Sequence, residues 1–219
     1  MTQNAFSKKI IDLPCSQKTN DGDVAQNHPD NYFRRDFVKY LAIAIPIMNL
    51  PLSSGVNATT KPERRPPQAG DRLTYFQKSK RGQIIKLSDL KELDKPLLVV
   101  PFDVENNVVK DGSRYNQILL QKLPSELLSA ETKKLSDQGV IAYSAICTHA
   151  GCPVTGWVAD EKNYMCPCHQ SVFNPKDSGV VVSGPATRGL PAIGLKIEAD
   201  EIILTNTFNS WIGFGKRPK

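Results

Sequence analysis

Cys147-Thr148-His149-Ala150-Gly151-Cys152 and Cys166-Pro167-Cys168-His169-Gln170-Ser171, with sixteen residues between His149 and Cys166, decide how this chain is read. Each segment offers one soft thiolate and one imidazole, separated by one residue in the first and by two in the second. Two loops with these donors can converge from opposite sides on a single metal centre. A two-iron cluster with cysteines on one iron and histidines on the other matches that inventory. Zinc accepts the same donors. The chain has 5 cysteines and 3 histidines, and four of the former and two of the latter fall between Cys147 and His169. Such crowding of scarce residues calls for a chemical explanation.

Outward from this motif the sequence is mainly β. Short segments rich in Val, Ile and Leu occur at 83–87, 97–102, 116–120, 140–144, 180–183, 193–197 and 202–205, separated by Gly, Pro, Asp or Asn. Only 124–138 suggests a helix, and there is no internal repeat. Strands this short and frequent predict an all-β fold, an antiparallel sandwich or small barrel.

The 219 residues, 40% of them hydrophobic, suffice for one sizeable core and a tail. A net charge of +6 and a pI near 9.0 could attract nucleic acid. The basic residues are nevertheless spread out, and the clusters at 61–65 and 216–219 sit among prolines or glycines. They read as a solvated linker and tail, and no nucleic-acid partner is expected.

Residues 1–33 are polar and lack periodicity. Arg34-Arg35-Asp36-Phe37-Val38-Lys39 then precedes an apolar run at 40–52, which resembles a twin-arginine export signal. A membrane span needs about 20 apolar residues. This run is shorter, and Pro46, Asn49 and Pro51 interrupt it, so a signal segment fits better. Val56-Asn57-Ala58 offers a cleavage site, with an uncleaved anchor as the alternative. The expected organisation is a leader with signal or anchor at 1–58, a linker at 59–81 around Pro62, Pro66 and Pro67, and a β domain at 82–219 with a cluster-binding subdomain at about 144–188. The expected location is the periplasm or the outer face of the cytoplasmic membrane. Cys15 and His28 lie in the leader without companion ligands.

From 83 to 205, and most strongly from 142 to 188, the sequence resembles the Rieske [2Fe–2S] family, whose fold is antiparallel β with a small inserted subdomain carrying both loops. The resemblance implies that Cys147 and Cys166 bind one iron and His149 and His169 the other. It implies a Cys152–Cys168 disulfide, as in the quinol-oxidising branch. Ser171 matches a serine whose hydroxyl donates to a cluster sulfide, and Gly184-Pro185-Ala186 matches the start of a proline-bearing loop over the cluster. A zinc site would leave the flanking cysteine pair and Ser171 without purpose, and a disulfide framework alone would strand two histidines.

Neutral imidazoles compensate less charge than thiolates, so the iron they hold is the more readily reduced and the one expected to take the electron. They can also exchange a proton as the charge changes. Three departures bear on the partner. Phe173 stands where many respiratory members have a tyrosine that hydrogen-bonds the cluster, Ala150 replaces a leucine that shields it, and Thr187-Arg188 follows where a second proline is common. The resemblance implies an electron-transfer subunit without a substrate-transforming site of its own, relaying electrons from quinol, or from a catalytic subunit, to a cytochrome-type acceptor. The partner subunits are then cytochrome b or c. The alternative is the small subunit of a molybdenum oxidase such as arsenite oxidase, with a molybdopterin-bearing large subunit. A Rieske ferredoxin or oxygenase component is a third reading, though that class normally lacks the two extra cysteines.

Overall fold

Leu97-Leu98-Val99-Val100-Pro101-Phe102-Asp103 is apolar almost throughout, the pattern of a strand covered on both faces. The computed structural model describes residues 60–215, and this run is the centre of its largest sheet. In chain order the sheet contains β1 (Arg72–Tyr75), β2 (Leu97–Asp103), β3 (Val108–Val109), β4 (Ile118–Lys122) and β5 (Val140–Ser144). The order across it is β1-β2-β4-β5, all antiparallel, with β3 on the end of β2. A second sheet of four short strands follows: β6 (Gly156–Val158), β7 (Asn163–Met165), β8 (Val172–Asn174) and β9 (Val180–Ser183), antiparallel and in sequential order. The last pair is the hairpin of β10 (Leu195–Glu198) and β11 (Glu201–Leu204). Ala199 and Asp200 take positive φ (48° and 72°) at its tip, as a tight two-residue turn requires.

Alternation along the strands sorts the side chains into two cores. Leu73, Val99, Ile118, Leu120, Val140 and Ala142 point one way, against Ile193, Leu195, Ile202 and Leu204. Leu119, Ile141 and Tyr143 point the other way, into a core shared with Cys147, Tyr164, Cys166 and Phe173. The β10–β11 hairpin closes the large sheet on itself. Gly70 N–H donates to the Leu204 carbonyl (2.8 Å) and Leu204 N–H to that of Asp71 (2.9 Å) on the β1 side. On the β5 side Ser144 N–H donates to Pro191 (2.8 Å) and Ile193 N–H to Ala142 (3.0 Å). The outcome is a small antiparallel barrel, with the β6–β9 sheet inserted between β5 and β10. The all-β expectation, barrel and inserted subdomain included, is met.

Local readings differ from the structure where turns and long-range contacts decide. The stretch expected to be a linker, 59–81, contains β1, whose Leu73 is fully buried. Proline-rich composition masked a strand that forms through pairing with β2. Just before it, Asp71 is held by the buried Lys110 ammonium at 2.7 and 2.8 Å. Residues 83–87 make only isolated bridges, Thr74 with Ile84 and Lys86 with Glu201. The expected helix at 124–138 is reduced to a 3-10 turn at Ser125–Leu127 and a single α-turn, α1 (Ala130–Lys133), capped by the Ser129 hydroxyl. Arg34, Arg35, the apolar run at 40–52, the Ala58 cleavage site, Cys15, His28 and the basic end at 216–219 lie outside the described residues. Among the described residues no helix is long and apolar enough to cross a membrane.

Candidate metal centre

Two tight turns built alike carry the expected ligands. The first leaves β5. Cys147 N–H donates to the Cys152 carbonyl (2.8 Å) and Gly151 N–H returns to the Cys147 carbonyl (3.0 Å), with Gly151 at φ +75°. The second joins β7 to β8. Cys166 N–H donates to the Ser171 carbonyl (2.9 Å), and Gln170 takes φ +57°. In each, a cysteine sits at the buried base and a histidine near the tip. Cys147 and Cys166 are 2% and 1% exposed, His149 is half-buried and His169 exposed. The two imidazoles meet edge to face with ring centres 4.7 Å apart. Cys152 and Cys168 form a disulfide between the turns, with Cα atoms 6.6 Å apart. The Cys166 sulfur lies within 4.8 Å of both disulfide sulfurs.

A third segment covers this pair of turns. Gly184 has φ +89°, and a Cβ there would stand 2.5 Å from Ser171 Cα and 2.8 Å from the Gln170 carbonyl, so only glycine permits the approach. Two residues on, Ala186 N–H donates to Ser171 Oγ (3.1 Å). That bond occupies the fully buried hydroxyl as an acceptor and leaves its own proton free to be donated. Pro185 and Ala150 are exposed at the rim, and Phe173 is fully buried in the core beneath. Gly184→Ala should lower stability by about 2 kcal/mol, through a left-handed backbone that alanine resists together with the collision against the second turn. A thermal melt should show a drop of several degrees; an unchanged melt would mean that the covering segment does not bear on the turn.

The chemistry of these donors fits an iron–sulfur group. Among the described residues the only free thiols are Cys147 and Cys166, side by side. Burial pushes the Cys147 thiol above its ordinary pKa, and the neighbouring Cys166 adds to this, while the His149 and Ala150 amides, donating to the sulfur, pull the other way. A thiolate therefore has hydrogen-bond donors waiting but no cation among the protein groups acting on it. His149 Nδ1 is buried without any hydrogen-bond partner. Leaving such an atom unsatisfied costs about 1–3 kcal/mol. Bound iron would remove both deficits.

Sequence reasoning missed how the first turn is held. Thr148 Oγ1 donates to the Arg188 carbonyl, and an Arg114 guanidinium nitrogen donates to that of Gly151. Arg188 in turn donates to the carbonyls of Trp211 (2.9 Å) and Gly213 (2.6 Å). The aromatic residues Trp211 and Phe214, in a tail without strand pattern, were the one faint signal. A cavity of about 290 Å³ lined by Thr132, Leu135, Tyr143, Ser178, Ala192 and Asn209 among others includes none of the ligand residues.

The family model described as the Rieske [2Fe-2S] domain matches residues 85–194. The Rieske iron–sulfur subunit of a cytochrome bc1 complex from Streptomyces lividans is 32% identical over 95 residues, which cover 43% of this chain and 54% of that one. The cytochrome b6-f complex iron–sulfur subunit 1 of a Nostoc species is 35% identical over 127 residues, covering 58% and 66%. The soluble domain of the Rieske protein II of Sulfolobus acidocaldarius aligns with a TM-score of 0.38 at 24% identity, over 47% of this chain and 67% of that one. The chain spans about half or less of the length of the first curated relatives it matches. A match that takes in half the chain and both thiol-and-imidazole turns shows that this chain belongs to the Rieske [2Fe–2S] family, whose cofactor is a Rieske-type [2Fe–2S] cluster.

Proposed function

We propose that Cys147 and Cys166 hold one iron of the cluster and His149 and His169 the other, and that the chain relays single electrons as a subunit of an exported or membrane-associated respiratory oxidoreductase. The observation that carries this reading is the meeting of two buried thiols and two touching imidazoles, one with an unsatisfied buried nitrogen, on paired turns. When bound, a cluster with this mixed ligation supplies reversible one-electron chemistry at about −150 to +300 mV, against about −400 mV for all-cysteine plant-type centres.

The chain's own residues divide the rest of the work. Burial of both cysteines keeps water from the thiolate side. His169, exposed and in contact with His149, marks the edge where a partner can approach closest and where electrons cross most readily. Ser171, whose oxygen accepts from the Ala186 amide, keeps its hydroxyl proton free to be donated, and the disulfide with the Gly184 segment keeps the two turns together.

The donor is quinol or a catalytic subunit, and the acceptor a cytochrome-type protein; relatives named as cytochrome bc1 and b6-f subunits support this. Residues 1–58, with Arg34 and Arg35, serve as leader and twin-arginine signal or anchor, placing the domain in the periplasm or on the outer face of the cytoplasmic membrane. The folded domain starts ahead of β1. A second reading, the small subunit of a molybdenum oxidase such as arsenite oxidase, is favoured by exposed Ala150 beside His149, where the quinol-oxidising branch has a shielding leucine. EPR and metal analysis of reduced protein isolated with its native partners tests the whole. A cytochrome b in the preparation supports the first reading and a molybdopterin protein the second, whereas zinc in place of iron and labile sulfide would overturn both.

Phe173 lies fully buried in the same core as both free thiols but has no hydroxyl to offer a sulfur. Since hydrogen bonds to the sulfurs raise the potential, Phe173→Tyr should raise the midpoint in a redox titration. An unchanged midpoint refutes that role for the position.

A further inference from the structure

Arg188 belongs to the Thr187-Arg188 stretch in which the sequence departs from a second proline, and its place in the fold gives it a task. Its guanidinium donates to two backbone carbonyls of the C-terminal segment, Trp211 at 2.9 Å and Gly213 at 2.6 Å. The same group stacks over the Trp211 ring at 4.0 Å. A planar fork can satisfy two acceptors and lie on an aromatic face at once, which a lysine ammonium cannot do. The backbone carbonyl of Arg188 accepts the hydroxyl of buried Thr148, the residue between Cys147 and His149. The C-terminal segment also touches the far side of that turn. The Phe214 ring, 65% exposed, lies 3.3 Å from where a Cβ on Gly151 would stand, and Gly213 sits 3.7 Å from Ile146 by the same measure.

Both ligand turns close on paired backbone, the first through the Ile146–Pro153 bridge and Val154 N–H to the Ala145 carbonyl (2.8 Å), but beyond that they are secured by different means. The second stands between two paired strands and is packed under Gly184. The first opens a stretch that reaches β6 only after Val154, and its tip is tied through Thr148 to Arg188 and through Gly151 to Arg114 and Phe214.

We propose that Arg188 is a positioning residue: by gripping the 211–215 strap with its side chain and Thr148 with its backbone, it fixes the turn that carries Cys147 and His149, so that the strap sets how firmly this turn retains metal. The proposal rests on reading Cys147 and His149 as ligands.

The test compares the full chain carrying its cluster with Arg188→Ala, Arg188→Lys, a chain ending at Ser210, and the combination of Arg188→Ala with that truncation. Two readouts are taken: amide hydrogen exchange at 146–153 against exchange in β4, and the rate at which iron passes to an added chelator. Arg188→Ala should speed exchange at 146–153 and iron release about tenfold, with β4 unchanged. Lysine should restore little, because charge alone is not the device. The combined variant should be no worse than either change alone, as expected of two halves of one interaction. Additive losses, full rescue by lysine, or unaltered exchange at 146–153 in Arg188→Ala would each overturn the proposal. Should Arg188→Ala fail to fold, the truncation decides alone: it leaves Arg188 in place, and a turn unaffected by loss of the strap sinks the idea. If the chain holds no iron, the proposed function falls, while amide exchange still reads the role of Arg188.

Discussion

His169→Ala is expected to abolish the EPR signal of the reduced cluster and the visible absorption of the oxidised one. His169 is exposed at the tip of its turn, so the barrel has little reason to notice the loss of its side chain. Substitutions at such positions normally move stability by no more than about 0.5 kcal/mol. The far-ultraviolet circular dichroism and the melt of the iron-free chain should therefore match the parent, and the missing signal can be assigned to missing ligation. Cys166→Ser would be the less informative choice, because that sulfur belongs to the core beside Tyr164 and Phe173. Persistence of a mixed-ligand EPR signal in His169→Ala would remove this residue from the ligand set and with it the symmetry between the two turns.

The second large effect concerns the Cys152–Cys168 disulfide. It closes a loop of sequence separation 16, and a cross-link around a loop of that size is worth about 3 kcal/mol in the chain-entropy account. Set against a typical domain stability of about 5–15 kcal/mol, that is a large fraction. The double variant Cys152→Ser/Cys168→Ser should lower the denaturant midpoint accordingly and shed iron faster. The bond joins the two turns that carry the paired thiols and imidazoles, so a metal centre held there should fail before the barrel does. Unfolding curves for the parent, with and without reductant, check this once thiol titration shows the bond to be open. Coincident curves would mean that the cystine does not clamp the turns.

How much of this was legible in the sequence depended on the range of the forces involved. Val140–Ser144 and Val180–Ser183 have the bounds that their β-branched runs predicted, and β2 differs only by Asp103. A strand of two or three residues carries too short a pattern for periodicity to register, which is why Val108–Val109, Gly156–Val158 and Asn163–Met165 were not resolved. Around 124–138 the apolar spacing looked helical, yet the Leu127 side chain is exposed while Leu128 is buried, and Leu128 N–H closes a 3-10 turn on Ser125. Tertiary contacts overrode a weak propensity. The crowding of thiols and imidazoles at 147–169 was plain because spacing and donor type are local properties, whereas the pairing of Cys152 with Cys168 came from the family resemblance. The parts played by Arg188 and Arg114 were not plain, since each side chain donates to backbone carbonyls, and no pattern of side chains announces which carbonyl will be near.

The inserted sheet leaves and re-enters the barrel at one spot, where Ser144 N–H donates to the Pro191 carbonyl and Tyr143 bridges to Ala192. Seen from the barrel, everything between these residues is one long excursion whose ends are already pinned together. The entropic cost of such an excursion grows only with the logarithm of its length. The barrel can therefore accept a longer, shorter or differently liganded excursion without relearning how to fold. Evolution can reshape the electron-handling end of this molecule as a graft upon a stock.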